Sequence, residues 1–281
     1  MTTGLPYRLI ATDLDGTLLD PAKAVTERTR AALAVATAAG AVHIVVTGRA
    51  AAWARPVLDG FGYTGIAVCG QGAQVYDAGA GKLLTSMTLD RKVAQLALAK
   101  LTAELGPLAV AAAQDGMHGR VLAQADYRTS VTSDDLPLGR VAAAAELFAE
   151  PIGKLFVQHP GLTDDQLAEA AHRIVGDLVG VTLAGPRLVE LLPLGLSKAT
   201  GLAVAARRLG LRAADTIAFG DMPNDLPMLR WAAHGVAMAD AHPALLAVAD
   251  EVTASNAQDG VALVLERLYG GLGAGSAAQP R

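Results

Sequence analysis

Residues 10–20, with the sequence IATDLDGTLLD, place Asp13 and Asp15 directly after a short apolar run. An apolar run that ends at a Gly-Thr turn is typical of a buried strand, so both carboxyl groups are expected at a strand's carboxyl end. Two like charges this close repel each other unless a cation or a bound group lies between them. Taken alone, however, Asp-x-Asp before Gly-Thr is more often turn chemistry than catalysis.

Further short apolar runs of the same kind alternate with segments of helical period. Thr26 is a candidate N-cap and Gly40 a candidate stop for one helix, and Ser197 and Gly210 are the corresponding residues for another. This alternation predicts an α/β fold with a parallel sheet covered on both faces. The predicted strands are residues 7–12, 41–47, 65–69, 215–220 and 234–239.

The middle of the chain has a different pattern, because helices and extended pieces follow each other there without simple crossovers. The polar strand ends lie on either side of this segment. We therefore predict one core domain, 1–82 and 187–270, which is interrupted by an inserted α+β cap at 83–186. The Gly-, Ala- and Ser-rich residues 271–281 predict a disordered tail.

Composition limits the class of protein. The chain has 281 residues, 52% hydrophobic but only 4% aromatic, which favours a layered interior rich in Ala, Val and Leu. A net charge of -4 gives no general attraction to nucleic acid or anionic lipid, so neither is an expected partner. Cys69 is the only cysteine and is predicted to be a small buried hydrophobe. With no secretory or membrane segment evident, we expect a cytoplasmic protein.

The predicted strand ends carry polar side chains that should meet at one edge of the sheet, since ligands of open parallel sheets bind beyond the strands' carboxyl ends. Asp13, Asp15 and Asp221 together would concentrate negative charge there unless a cation neutralises it. Hard oxygen ligands with room for water and a phosphate oxygen suit Mg²⁺. The residues at these strand ends are Asp13, Asp15, Thr47, Gly48, Arg49, Gln71, Asp221, Asn224 and Asp225.

Three features of the sequence could together bind a phosphate group. Thr47 supplies a hydroxyl, the Thr47-Gly48 turn can present N–H groups, and Lys198 adds a positive charge at the start of a helix. A carboxylate such as Asp13 can attack a phosphoryl group, and a second one such as Asp15 can move the proton.

Simpler explanations exist for several of these residues. Lys198 can be a solvated residue behind an N-cap, and Asp221, Asn224 and Asp225 can cap a helix over 223–232. No His/Cys cluster has the spacing of metal ligands, so zinc is not predicted.

Four motifs in order make the chain resemble the haloacid dehalogenase-like phosphohydrolases and, within them, the Cof-type phosphatases. They are DLDGTLL at 13–19, TGR at 47–49, GLSKATGL around Lys198 and GDMPNDLPML at 220–229. An ordered set of this kind is far more specific than any one motif. The resemblance implies a Rossmann-like, doubly wound core with a cap inserted between the second and third motifs.

The resemblance also implies roles for the residues of these motifs. Asp13 would be the nucleophile that becomes an aspartyl-phosphate, and Asp15 the general acid and base. We expect repulsion between the two to keep Asp15 protonated while Asp13 stays ionised. The implied phosphate ligands are Thr47, Gly48, Lys198 and Asn224, and the implied Mg²⁺ ligands are Asp13, the Asp15 backbone carbonyl and Asp221, with Asp225 in support.

Two positions depart from the family pattern. Gln71 stands where Asn is usual, which keeps an amide but lengthens it, and Asp240 adds a carboxylate where the family has Asn. Arg49 and Gln71 are candidates for substrate contact. In the cap the corresponding candidates are His118, Arg120, Tyr127, Lys154 and Arg187.

The sequence therefore predicts a Mg²⁺-dependent phosphatase that hydrolyses a small phosphorylated metabolite, either a sugar phosphate or a cofactor-type phosphate. A phosphomutase would carry the same motifs. A non-catalytic regulator that binds a phosphorylated metabolite is a third possibility, disfavoured because Asp13 and Asp15 are both intact.

Overall fold

The computed structural model describes residues 4–128 and 138–272, which form two sheets. The strands of the first, the core sheet, come from both ends of the chain, and those of the second, the cap sheet, from its middle. In chain order the strands are β1 (Leu9–Thr12), β2 (Val42–Val46), β3 (Ile66–Cys69), β4 (Gln74–Asp77), β5 (Lys82–Ser86), β6 (Ala109–Gln114), β7 (Val121–Ala123), β8 (Leu138–Arg140), β9 (Ile152–Gln158), β10 (Val179–Leu183), β11 (Val189–Pro193), β12 (Thr216–Gly220), β13 (His234–Ala237) and β14 (Glu251–Val252).

The core sheet has the order β14-β13-β12-β1-β2-β3-β4-β5. Its strands are parallel from β14 to β3, and the β4–β5 hairpin extends it in the antiparallel sense. β1 and β12 are buried along their whole length, as expected of central strands covered on both faces. The predicted α/β fold is thus confirmed, and each of the five predicted strands contains the observed one.

The helices begin and end close to the predicted signals. Thr26 caps the first, with its hydroxyl accepting from the Thr29 N–H, and Ser197 caps the fifth through the Thr200 N–H. The helices are α1 (Glu27–Ala38), α2 (Ala51–Gly60), α3 (Arg91–Leu105), α4 (Asp164–Val175), α5 (Lys198–Arg208), α6 (Leu226–Trp231), α7 (Pro243–Leu246) and α8 (Gly260–Tyr269).

The cap sheet has the order β10-β11-β9-β6-β7-β8 and is antiparallel except between β7 and β8. Helices α3 and α4 cover one of its faces, where Leu101 and Leu167 pack with Leu155 and Val189 in a hydrophobic core separate from that of the core sheet. The insert therefore has its own sheet and its own core, as an α+β cap requires.

The points at which the chain passes between the core sheet and the cap sheet differ from the predicted domain boundaries. β5 continues the core sheet to Ser86, and β11, which was predicted to begin the second part of the core domain, pairs with β9 and β10 in the cap. Local pattern shows that a segment is extended but does not show which sheet it joins. The predicted tail falls largely on residues 273–281, outside the described residues. Within the described ranges, none of the helices is both long and apolar enough for a membrane span.

Candidate active site

The sheet order brings the predicted motif loops together. β12, β1, β2 and β3 are neighbours, so the loops after their carboxyl ends adjoin. The residue after β1 still pairs with β12, since the Asp13 N–H donates to the Phe219 carbonyl over 3.0 Å. Asp13 therefore lies at the centre of the edge.

The Lys198 ammonium lies between two carboxylates. Its Nζ is 2.5 Å from Asp13 Oδ1 and 2.6 Å from Asp225 Oδ1, and all three side chains are buried. Burial alone would lower the pKa of Lys198, but the charges of Asp13 and Asp225 outweigh it and raise that pKa. Lys198 is thus a fixed positive charge beside Asp13 and not a solvated residue.

Asp225 shapes the fourth motif loop. Its second oxygen, Oδ2, accepts from the backbone N–H groups of Asp221 and Met222, both over 3.1 Å. Since Oδ1 is held by Lys198, both oxygens are engaged within the protein. Asp225 therefore fixes the backbone at the start of the fourth motif loop.

Three carboxylates meet where the cation was predicted. Asp13, Asp221 and Asp225 each offer an oxygen within 4.8 Å of the others. Burial, followed by the neighbouring Asp225, raises the pKa of Asp221 to about 7, and burial also raises the pKa of Asp13. Thr17 donates to Asp221 Oδ1 over 3.0 Å. Closely packed carboxylates with only oxygen donors are the ligands that Mg²⁺ prefers, so the residues present fit this ion.

The glycine of the DGT turn makes this approach possible. Gly16 has a φ of +82°, and a Cβ at this position would lie 2.3 Å from Asp221 Oδ2. Any side chain here would displace the Asp221 carboxylate.

The neighbours of Asp15 favour its ionised form, although the sequence predicted a protonated one. Arg49 donates to both of its oxygens over 2.8 Å, and Lys23 donates over 3.2 Å. Burial favours the neutral acid, but these bonds and charges outweigh it and lower the pKa of Asp15. The expectation of a protonated Asp15 beside an ionised Asp13 is therefore wrong for this state, because Arg49 and Lys23 outweigh the repulsion.

A cavity of about 490 Å³ separates these core loops from the cap sheet. Of the predicted cap residues, Tyr127 and Lys154 line it, whereas His118, Arg120 and Arg187 are exposed outside it. Asp240 is likewise exposed. The predicted core residues that line the cavity are Asp13, Asp15, Gly48, Arg49, Asp221 and Asn224, and those that lie buried behind them are Thr47, Gln71, Lys198 and Asp225.

Sequence reasoning missed other residues of the cavity, among them Trp53, Phe156 and Glu190. Glu190 had a visible signal, because it is the only charged residue in the apolar run 188–193. Cys69 was correctly predicted as a buried hydrophobe, and burial raises the pKa of its thiol to about 12, so it is not a nucleophile.

Gln71 connects the core to the cap. Its Nε2 donates to Glu190 Oε2 over 2.8 Å, and its Oε1 accepts from Asn224 Nδ2 over 3.1 Å. Lys154 Nζ donates to Glu190 Oε1 over 2.5 Å and to the Gly48 carbonyl over 2.8 Å. We call Lys154, Glu190 and Gln71 the cap–core bridge.

Comparison with known proteins agrees with this geometry. The model of the haloacid dehalogenase-like hydrolase family matches residues 10–265. The HMP-PP phosphatase of Serratia proteamaculans is 30% identical over 85% of this chain and 86% of its own length. The 5-amino-6-(5-phospho-D-ribitylamino)uracil phosphatase of Bacillus subtilis is 28% identical over 94% of this chain and 99% of its own. A solved haloacid dehalogenase-like hydrolase from B. subtilis superposes with a TM-score of 0.77 at 23% identity, covering 93% of this chain and 99% of its own.

The chain therefore belongs to the haloacid dehalogenase-like hydrolase family, in its Cof-type branch with an inserted cap. It is a phosphatase, a phosphoric monoester hydrolase.

Proposed function

We propose that this protein hydrolyses a small phosphorylated metabolite with the help of Mg²⁺ and through an aspartyl-phosphate on Asp13. The observation that carries the proposal is the position of Asp13, which opens on the cavity beside the Lys198 ammonium while Asp15 follows two residues later. An ionised carboxylate beside a fixed cation is a competent nucleophile for a phosphoryl group.

In the first step an Asp13 oxygen attacks phosphorus in line, and the bond from phosphorus to the ester oxygen breaks. Asp15 gives its proton to the leaving alcohol, and in the second step it takes a proton from the water that hydrolyses the aspartyl-phosphate. Asp15 can act as an acid only after it gains a proton and separates from Arg49. Because Arg49 also lines the cavity, an anionic substrate can draw its guanidinium away from Asp15.

The phosphoryl group would be bound by groups of the second and fourth loops. Thr47 offers its hydroxyl, Gly48 its backbone N–H and Asn224 its side-chain amide, while Lys198 supplies charge from behind Asp13. A Mg²⁺ ion held by Asp13, Asp221 and the Asp15 carbonyl would neutralise these carboxylates and the charge on the phosphoryl oxygens.

The substrate class follows from the size of the cavity and from the relatives. About 490 Å³ suits a metabolite and not a folded phosphoprotein. Two relatives are named as phosphatases of HMP-PP and of a phosphoribitylaminouracil. We therefore propose a sugar phosphate or a cofactor-type phosphate as the substrate.

The test is release of inorganic phosphate from a panel of sugar, nucleotide and cofactor phosphates, with and without Mg²⁺. We expect Asp13→Asn to abolish turnover while the protein remains folded by circular dichroism, because the amide is not a nucleophile. Asp59→Asn, a change at an exposed residue of α2, is the matched control and should keep full activity.

Three outcomes would contradict the proposal. Unchanged turnover by Asp13→Asn would show that another group attacks phosphorus. Phosphate returned to the substrate, without stoichiometric release, would identify a mutase, and no reaction across the panel would favour a binding protein.

A further inference from the structure

Lys154 and Glu190 form a buried ion pair on neighbouring strands of the cap sheet. The two side chains are only 5% and 2% exposed, and Glu190 lies opposite Phe156 in the β9–β11 register. Lys154 also lies 4.9 Å from the centre of the Phe156 ring. Removing two charges from water is costly, and a pair of apolar residues would stabilise the cap as well. The pair therefore calls for an explanation beyond cap stability.

Both members of the pair contact the core, and each contacts a different loop. Lys154 donates to the carbonyl of Gly48 in the second motif loop. The N–H of the same peptide unit, at Arg49, donates to Thr47 Oγ1 over 3.1 Å. The peptide between Gly48 and Arg49 is therefore held at both ends, its carbonyl by the Lys154 ammonium and its N–H by the Thr47 hydroxyl.

Glu190 acts on the other side through Gln71. Gln71 has a left-handed backbone with a φ of 60°, and its amide reaches Glu190 in the cap and Asn224 in the fourth motif loop. It also packs against Gly48, since a Cβ on that glycine would lie 2.6 Å from Gln71 Nε2. Asparagine at this position would be shorter by one C–C bond of about 1.5 Å and would not reach both partners.

Asn224 has one group that the protein leaves unused. Its Oδ1 is buried and has no hydrogen-bond partner within the described residues, while its Nδ2 is held by Gln71. The bridge thus sets the orientation of this amide at the edge of the cavity, and its Nδ2, not its Oδ1, is the group that can donate to a phosphate oxygen.

We propose that Lys154 and Glu190 are positioning residues, which hold the second loop through Gly48 and the fourth loop through Gln71 in the geometry that binds phosphate. The proposal rests on the proposed function, since it concerns the same phosphate site. It makes phosphate affinity depend on two cap side chains that act through core residues. Docking of the cap and completion of the phosphate cradle are then one event.

The experiment is calorimetric titration of the full chain with inorganic phosphate in the presence of Mg²⁺, alongside the thermal unfolding midpoint. Lys154→Met and Glu190→Gln should each weaken phosphate binding about tenfold, the effect of losing one charge-assisted hydrogen bond. Each should also lower the midpoint, because it leaves one charge buried without its partner.

The double variant K154M/E190Q separates positioning from stability. Because it leaves neither charge buried, the unfolding midpoint should return towards the wild-type value. Phosphate binding should stay about tenfold weaker, since the Gly48 carbonyl still lacks its donor. Arg28→Met, which removes an exposed ion pair with Glu266, is the control and should bind phosphate normally.

Recovery of phosphate affinity in the double variant would overturn the inference, as would single variants that bind phosphate as tightly as the wild type. If the wild-type protein itself binds no phosphate with Mg²⁺ present, the proposed function fails, and the inference fails with it. If the wild-type protein binds phosphate but the variants bind it equally tightly, only the inference has failed.

Discussion

Asp13 and Asp15 are two residues apart, yet their electrostatic surroundings differ. Asp13 is buried beside Lys198 and two other carboxylates, whereas Asp15 is bound by Arg49 and Lys23. The pKa of a side chain is set by its burial and by the charges that the fold brings near it, and closeness in sequence determines neither. In the proposed reaction each aspartate therefore needs a different change: Asp13 must be ionised, and Asp15 must lose its ion pair with Arg49.

The Asp221 carboxyl predicts how Mg²⁺ binding depends on pH. Burial and Asp225 raise its folded pKa to about 7, above its unfolded value. As pH rises from the unfolded pKa to about 7, ionisation of Asp221 therefore lowers the stability of the metal-free folded protein. A bound cation offsets this loss. We expect Mg²⁺ to raise the unfolding midpoint more at about pH 8 than at about pH 5.5, where protons compete for the same carboxylates. Equal shifts at both pH values, measured by differential scanning calorimetry, would contradict this.

The two contacts of Gln71 predict a cost for shortening its side chain. Gln71→Asn should leave Glu190 or Asn224 without its partner, which is expected to lower the free energy of unfolding by about 1–3 kcal/mol. Gln95→Asn, at an exposed position of α3, is the control and should cost only a few tenths of a kcal/mol. Urea unfolding measures both, and similar values for the two variants would show that the bridge contributes nothing to stability.

At the scale of elements, the loop after β3 and the start of α5 are in close contact. A Cβ on Gly72 would lie 2.1 Å from the carbonyl of Ser197, the N-cap of the helix that carries Lys198. The carbonyl belongs to the backbone and cannot move without the helix. The position of Lys198 beside Asp13 thus depends on a glycine in another loop.

Gly72→Ala should therefore displace α5, lower the free energy of unfolding by more than about 3 kcal/mol and reduce phosphatase activity. Gly81→Ala is the matched control, because Gly81 also has a positive φ, of +64°, but a Cβ there would meet open space. We expect it to cost about 1 kcal/mol and to leave activity unchanged. A similar loss of activity in both variants, compared at equal folded fraction, would show that backbone strain and not contact with the helix is responsible.

The elements that could be predicted from sequence are those whose signals are local. β1, β2, β3, β12 and β13 are apolar runs that end at Gly, Asp or Thr, and Thr26 and Ser197 are ordinary N-caps. The β4–β5 hairpin was not predicted, because QVYD and KLLTS have neither a continuous apolar run nor a strict alternation.

The site residues divide in the same way, into those with a local sequence signal and those without one. The four ordered motifs were sufficient to predict that Asp13, Lys198 and Asp221 lie together, since parallel strands bring their loops to one edge. Glu190 could not be placed, because its contact with Gln71 joins residues 119 positions apart and exists only when the cap is docked. Long-range side-chain pairs of this kind depend on tertiary packing and not on local pattern.

At the scale of the whole molecule, the core sheet is assembled from two distant parts of the chain. β1, which leads to Asp13, lies between β2 from the first part and β12 from the second. The hydrogen bond from Thr17 to Asp221 joins residues separated by 204 positions. The sheet edge that carries Asp13 and Asp221 is therefore complete only when both parts are folded together.

The central place of β1 in that sheet has a consequence for synthesis on the ribosome. At roughly 5–20 residues per second, some ten to forty seconds pass between the emergence of β1 and that of β12. Throughout that time one side of β1 offers unpaired backbone groups to other nascent chains or to chaperones. The cap is translated between these two strands and has its own hydrophobic core. It can therefore fold before β12 has emerged to pair with β1.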